Sequence, residues 1–482
     1  VPRPPAPLGD IDLEVFREEG RRLVDWVARY LASAESYPVL PRVRPGDVTA
    51  ALPASPPAGP EPLADIMADV ERVIVPGLTH WNHPGFFAYF ANSSTAPAIL
   101  GEMLAAAFNA NGMLWKTAPA ATELEVVVLD WLRQTLGLPA GLFGVIQDTA
   151  SASTLVALAA AREAVPGLDV RRRGLSGQAR LRLYASEHAH SSVDKAGIVL
   201  GIGQEGLRHI PVDAQYRMIP AALQDAINED RAAGWIPFAV VATVGTTSTT
   251  SIDPVPAIAD VCQAEGLWLH VDAAYGGSAA VEPSLRHVLD GCDRADSLVV
   301  NPHKWLFVPV DLSVLYTRKP EVLRAAFSVV PEYLRTAEET VAPNFMDYGV
   351  SLGRRFRALK LWMVMRAFGQ EGLAARIREH VRLARSFRSW VEADPGFELV
   401  APSPFSVVCF RARFAGVPAE EEDRRNQELM DAVNATGEAY LSHTKVAGRT
   451  VLRLAIGNVR TEERHVRRAF DLLRQAAASR RS

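Results

Sequence analysis

The chain has 482 residues, 48% hydrophobic and 22% charged, with a formal net charge of −4. That length calls for two or three packed lobes rather than one core, and the weak negative charge gives no electrostatic reason for a nucleic-acid or anionic-membrane partner. Three scattered cysteines, Cys262, Cys292 and Cys409, have no metal-ligand spacing and form no complete disulfide framework. No apolar run is long enough to span a bilayer, and the first residues lack the apolar core of a secretory signal. A cytoplasmic enzyme is the expectation.

In chain order, residues 10–33 have helical character, with Leu13, Phe16, Leu23, Val27, Tyr30 and Leu31 returning at helical spacing. A proline-rich connector (52–62) and a second helical stretch (63–75) follow. This opening region (1–91) reads as an arm that packs on another body, such as a second subunit. From 92 to 372, apolar strand candidates at 181–185, 238–243, 267–271, 297–300 and 312–316 alternate with helix patterns such as 254–265. That alternation predicts an α/β domain with a largely parallel sheet covered on both faces. From 373 to 482 the pattern is a long helix (373–393), strand candidates at 397–400, 406–413 and 451–456, and a last helix (461–478), which make a smaller α/β lobe.

Three features fall at the C-terminal ends of predicted strands, where open α/β sheets place ligands. In Asn301-Pro302-His303-Lys304 a strand delivers a lysine into a loop stiffened by Pro302. In Leu269-His270-Val271-Asp272-Ala273-Ala274 an apolar strand ends on an aspartate that would be costly to bury without a cation. The small Ala273 and Ala274 leave room for a flat ring. In Gln147-Asp148-Thr149-Ala150-Ser151 small hydroxyl residues enter the helical run 155–164, a pattern that binds an anion through free N–H groups and the helix dipole. Taken singly, each has a plain alternative: a surface lysine, a capping aspartate, an ordinary N-cap. The ordered set of phosphate cradle, carboxylate and amine matches the three handles that pyridoxal phosphate (PLP) needs.

The sequence also resembles the PLP-dependent group II decarboxylases, most closely the aromatic L-amino-acid decarboxylases, over nearly its whole length. The resemblance is carried by Thr79-His80-Trp81, Phe86-Phe87-Ala88-Tyr89-Phe90, Thr122-Glu123-Leu124-Glu125, Ala189-His190-Ser191-Ser192, Gly245-Thr246-Thr247, the Asp272 and Lys304 segments, and Leu352-Gly353-Arg354-Arg355-Phe356-Arg357. It implies the type I aminotransferase fold and a homodimer with shared active sites and a swapped N-terminal arm. It implies decarboxylation of aromatic amino acids to arylalkylamines. The alternatives are an aromatic aldehyde synthase or a decarboxylase of another amino acid such as histidine or glutamate. By the same resemblance Lys304 is the Schiff-base lysine and Asp272 the partner of the pyridine nitrogen. Thr149, Ala150 and Ser151 form the phosphate-binding turn with Asn301 nearby, His190 and Ala274 lie on the two ring faces, and Thr247 and His303 stand around the cofactor and its lysine. Tyr333 is the proton donor, on a polar stretch that reads as a lid. Trp81, Tyr89 and Phe90 match aromatic-pocket positions. Asn111, Met113 and Gly353 match substrate-pocket positions, Asn111 and Met113 standing where bulkier apolar residues of the partner subunit are usual.

Overall fold

The computed structural model describes residues 9–329 and 337–480. Among the described residues the chain builds two sheets. The short strand β1 (Phe86–Phe87) precedes those of the larger sheet: β2 (Phe143–Gln147), β3 (Leu181–Ser186), β4 (Leu207–Ile210), β5 (Ile236–Thr243), β6 (Trp268–Asp272), β7 (Ser297–Val300) and β8 (Ser313–Thr317). Their order is β2-β8-β7-β6-β5-β3-β4. All are parallel except β8, which runs antiparallel to β7 and β2 on either side. The sheet is therefore largely parallel, as expected, with the single strand β8 reversed, and β2 regains the direction of β7. The C-terminal ends of β2, β3, β5, β6 and β7 consequently share one edge. Hydrophobic clusters cover both faces, as the long apolar runs require.

The lysine segment differs from expectation. Residues Pro302–Trp305 form a single helical turn, with Pro302 at its start, rather than a loop. Proline suits that place because the first helical N–H has no partner to lose.

A smaller sheet contains β9 (Phe397–Leu399), β10 (Val407–Ala412), β11 (Tyr440–Val446) and β12 (Arg449–Ala455), in the order β1-β11-β12-β10-β9. β1 pairs in parallel with β11, so Phe86 and Phe87 join the C-terminal sheet. The long helix begins earlier than the sequence suggests, spanning Ala358–Ala393, and is interrupted at Gly369, whose φ of 62° is left-handed. Glycine adopts that conformation without the Cβ penalty of other residues.

The N-terminal helix Leu13–Ala32 starts at Asp12, whose side chain accepts the N–H groups of Glu14 and Val15. None of its residues is buried, and Leu13 and Phe16 are 74% and 55% exposed. The stretch expected to be helical over 63–75 is an α-helix only over Leu63–Asp69, then a wider turn and a tighter one. Among the described residues no helix is long and apolar enough to cross a membrane.

Candidate active site

β6 is buried along its whole length and ends on Asp272, itself 6% exposed. Its Oδ1 accepts the Ala274 N–H at 3.1 Å, and among the described residues no ion pair compensates it. The neighbouring strand β7 leads into the lysine turn. Asn301 donates its N–H to the Ala274 carbonyl at 3.1 Å, and the Lys304 N–H bonds back to the Asn301 carbonyl at 2.9 Å. The Lys304 amine lies 5.0 Å from the centre of the Phe90 ring. Phe90 stacks on Tyr275 with centroids 3.9 Å apart, and Tyr275 stacks on Trp305 at 4.9 Å. Desolvation in this aromatic setting lowers the pKa of Lys304, with Asp272 opposing the shift. The amine is thereby biased toward its nucleophilic form.

Beyond Asp272 the backbone comes very close to the loop after β5. A Cβ at Gly276 would lie 2.5 Å from the Val244 carbonyl oxygen, and one at Gly245, whose φ is 91°, 3.1 Å from the Gly276 nitrogen. This contact fixes the 245–251 loop beside the aspartate. Hydroxyl bonds joining Thr246, Thr249 and Ser251 stiffen the loop and leave Thr247 on its exposed side.

His190 follows β3. Its Nδ1 accepts the Ser192 N–H at 3.1 Å and lies 2.9 Å from the Ser192 hydroxyl, so the proton of the neutral ring sits on Nε2. Desolvation, and then the charge of Lys304, push its pKa down, which keeps the ring neutral at pH 7. His303 is arranged in the same way. Its Nδ1 accepts the Leu312 N–H at 2.9 Å, and burial lowers its pKa to about 4. Its Nε2 therefore carries hydrogen and faces the Asn301 amide at 3.3 Å. The amide orientation that satisfies this donor turns the Asn301 oxygen toward His303. The NH2 group then takes the buried position that has no hydrogen-bond partner among the described residues.

At the end of β2, Thr149 caps the helix Ala150–Glu163, its hydroxyl receiving the Ala152 N–H at 3.5 Å. The first N–H groups of such a helix have no intrahelical acceptor. Those of Ala150 and Ser151 therefore stand beside the Thr149 and Ser151 hydroxyls at a helix start. The sheet edge thus gathers an anion cradle, a desolvated amine and, among the described residues, a buried amide donor without a partner and a buried carboxylate without an ion pair. That set fits PLP.

Residues 45–413 match the family described as the pyridoxal-dependent decarboxylase conserved domain. The chain belongs to that family. It is 42% identical over 485 residues to phenylacetaldehyde synthase of Arabidopsis thaliana, covering 98% of this chain and 97% of the relative. It is also 42% identical over 480 residues to tryptophan decarboxylase 2 of Oryza sativa subsp. japonica, covering 98% and 96%. The crystal structure of Oryza sativa TDC with PLP and tryptamine superposes with a TM-score of 0.95 at 41% identity, over 99% of this chain and 100% of that one. The decarboxylase therefore has the type I aminotransferase fold and uses PLP.

Several supports of the decarboxylase site were given no role in the sequence. Arg354 donates to both oxygens of Glu125, at 3.1 and 2.7 Å, and to the Ile146 carbonyl at 2.8 Å, while Glu125 accepts the Ile146 N–H at 2.9 Å. The buried pair thus grips the strand residue just ahead of the cradle. Both residues stood inside recognisable motifs, but their partnership spans more than two hundred positions. Arg453, 3% exposed, donates to the carbonyls of Ser248 and Tyr89 and to the Ser442 hydroxyl. An arginine in an apolar strand gave no hint of that role.

Of the expected substrate aromatics, Phe90 faces Lys304. Trp81 stacks on Phe86 at 4.3 Å, and Tyr89, 51% exposed, turns its hydroxyl to that of Tyr440 at 3.0 Å. Asn111, Met113 and Gly353 form a separate group. The Asn111 oxygen accepts the Arg354 N–H at 2.9 Å, its amide lies 3.6 Å from the Met113 sulfur, and a Cβ at Gly353 would lie 3.9 Å from the same amide. Tyr333 lies outside the described residues.

Proposed function

We propose that this decarboxylase converts aromatic L-amino acids (tryptophan, tyrosine, phenylalanine and their hydroxylated forms) to arylalkylamines and CO2. The observation that carries the reading is the desolvated Lys304 amine, 5.0 Å from the Phe90 ring of the Phe90–Tyr275 stack and within the electrostatic reach of the Asp272 carboxylate. PLP, when bound, delocalises the negative charge left at Cα when a bond to that carbon breaks. Lys304 would hold the cofactor's aldehyde carbon, and Asp272 would keep a proton on its ring nitrogen. Thr149, Ala150, Ser151 and Asn301 would take the phosphate. His190 and Ala274 would flank the ring, with Thr247 and His303 completing the surround. Trp81, Tyr89 and Phe90 would form the aromatic wall of the substrate site. Tyr333, placed by sequence alone, would deliver a proton to Cα after CO2 leaves.

The functional unit in this proposal is a homodimer. It is supported by the N-terminal helix, which has no buried residue and exposes Leu13 and Phe16, and Asn111, Met113 and Gly353 group together around the Arg354 backbone. A second copy would bring that cluster to the substrate. Light scattering should give twice the 52.4 kDa chain mass. The three free, buried cysteines suit a cytoplasmic location.

A panel of amino acids scored separately for amine and aldehyde tests the substrate reading. Turnover of aromatic acids well above histidine and glutamate supports it, and a preference for either of those two overturns it. Amine output left unchanged by Tyr333→Phe would remove Tyr333 from the mechanism.

A further inference from the structure

The phosphate cradle is immediately preceded by a carboxylate. Asp148 adjoins Thr149, and its side chain is 53% exposed. Its Oδ1 lies 2.8 Å from Arg357 Nη2. That arginine, 15% exposed, also makes two bonds to Asp311, Nε to Oδ1 and Nη2 to Oδ2, each 3.0 Å long. The surrounding charges are already matched. Lys360 pairs with Glu102 at 2.5 Å and donates to the Pro309 carbonyl at 3.1 Å, and Arg355 also reaches Glu102. Three cations (Arg355, Arg357, Lys360) thus face three anions (Glu102, Asp148, Asp311), and among the described residues this group has no spare positive charge for an incoming phosphate. The cradle residues Thr149, Ala150 and Ser151 carry no charge of their own.

We propose that Asp148 and Arg357 set how tightly the cofactor phosphate is held, Asp148 weakening the grip by like-charge repulsion and Arg357 offsetting it. The proposal rests on the reading of residues 149–151 as the phosphate cradle. A carboxylate next to a dianion opposes its binding, and the guanidinium that neutralises it removes part of that opposition. Because Arg357 is divided between Asp148 and Asp311, the offset is incomplete. Removing the Asp148 charge should both abolish the repulsion and free Arg357 to act on the phosphate. If Asp148 instead served only to anchor Arg357 at the start of the helix Ala358–Ala393, its charge would leave cofactor affinity unmoved.

The test is the dissociation constant of PLP from the full-length apoprotein, followed by tryptophan fluorescence, with pyridoxal as the ligand that lacks the phosphate. Asp148→Asn should tighten PLP about threefold to fivefold, the effect of a partly exposed charge pair, and leave pyridoxal unchanged. The gain should shrink in high salt. Arg357→Met should weaken PLP, and Asp148→Asn in the same chain should restore most of the loss. An Asp148→Asn protein with unchanged PLP affinity, or with an equal gain for pyridoxal, overturns the proposal. This arm decides even if Arg357→Met fails to fold. Ser151→Ala separates the two layers of inference. If it weakens PLP while Asp148→Asn does nothing, the cradle stands and the proposal falls; if it leaves PLP unaffected, both fall.

Discussion

Asn301 donates its backbone N–H to the Ala274 carbonyl at 3.1 Å, and this bond holds the lysine-bearing turn against the segment that follows Asp272. It extends the β6–β7 ladder, in which Asp272 is level with Val299, past the end of β7. The amine and the carboxylate therefore come from adjacent strands, and their spacing is set by backbone hydrogen bonds rather than by flexible loops.

Asp272→Asn removes the carboxylate while keeping the shape of the side chain and its acceptor for the Ala274 N–H. The variant should bind close to one PLP per chain, because the cradle and Lys304 are intact, while kcat falls about 10²- to 10⁴-fold. Cofactor stoichiometry and steady-state kinetics on the same preparation check this. A loss smaller than tenfold would count against the assigned role.

His190 stays neutral because desolvation and Lys304 disfavour its charged form. Any acid limb that it contributes to kcat/KM should lie below the ordinary histidine value of about 6.5. Ser192→Ala deletes the hydroxyl that satisfies Nδ1 in the neutral ring, so protonation becomes easier and that limb should move up. The pH profiles of the two proteins, measured side by side, give the sign.

The pair formed by Glu125 and Arg354 is almost fully buried, with side chains 6% and 9% exposed. Arg354→Met should cost about 3–5 kcal/mol, the usual result of stranding one buried charge. It should also weaken PLP binding, since Ile146 loses its hold ahead of the cradle. Glu125→Leu with Arg354→Met should unfold at a higher temperature than Arg354→Met alone, because no charge is left stranded.

His380 accepts the Trp305 indole N–H at 3.0 Å and lies 3.1 Å from the Asn458 carbonyl, and burial lowers its pKa to about 4. In the unfolded chain it takes up a proton near pH 6.5. Stability should thus be undiminished above that value and fall as the pH drops from 6.5 toward 4, at up to about 1.4 kcal/mol per pH unit. His270 is displaced in the same direction. Urea melts at pH 7.5 and pH 5 measure the loss, and His380→Gln should reduce it.

Much of the candidate site's layout is legible in the sequence because its pattern is local. Thr149, Asp272 and Lys304 each follow a short apolar strand, and a parallel sheet brings such ends to one edge. The reversal of β8 was not legible, because a buried strand carries the same apolar run in either direction. The helical turn at Lys304 was hidden by its brevity, and the earlier start of the long helix by the glycine break at Gly369. Contacts such as Arg354 with Glu125 and Arg357 with Asp148 join distant segments, and no local pattern announces them. The contact of Asn111 with the Arg354 backbone has the same character, since it joins segments more than two hundred positions apart.

The central claim is that the site releases CO2 and returns a proton to Cα without oxidation. The most direct measurement follows CO2, amine, aldehyde and dissolved oxygen together while the holoenzyme turns over L-tryptophan or L-tyrosine. The account predicts one amine per CO2 with no oxygen consumed. Aldehyde and ammonia as the main products, with oxygen consumed, would contradict it.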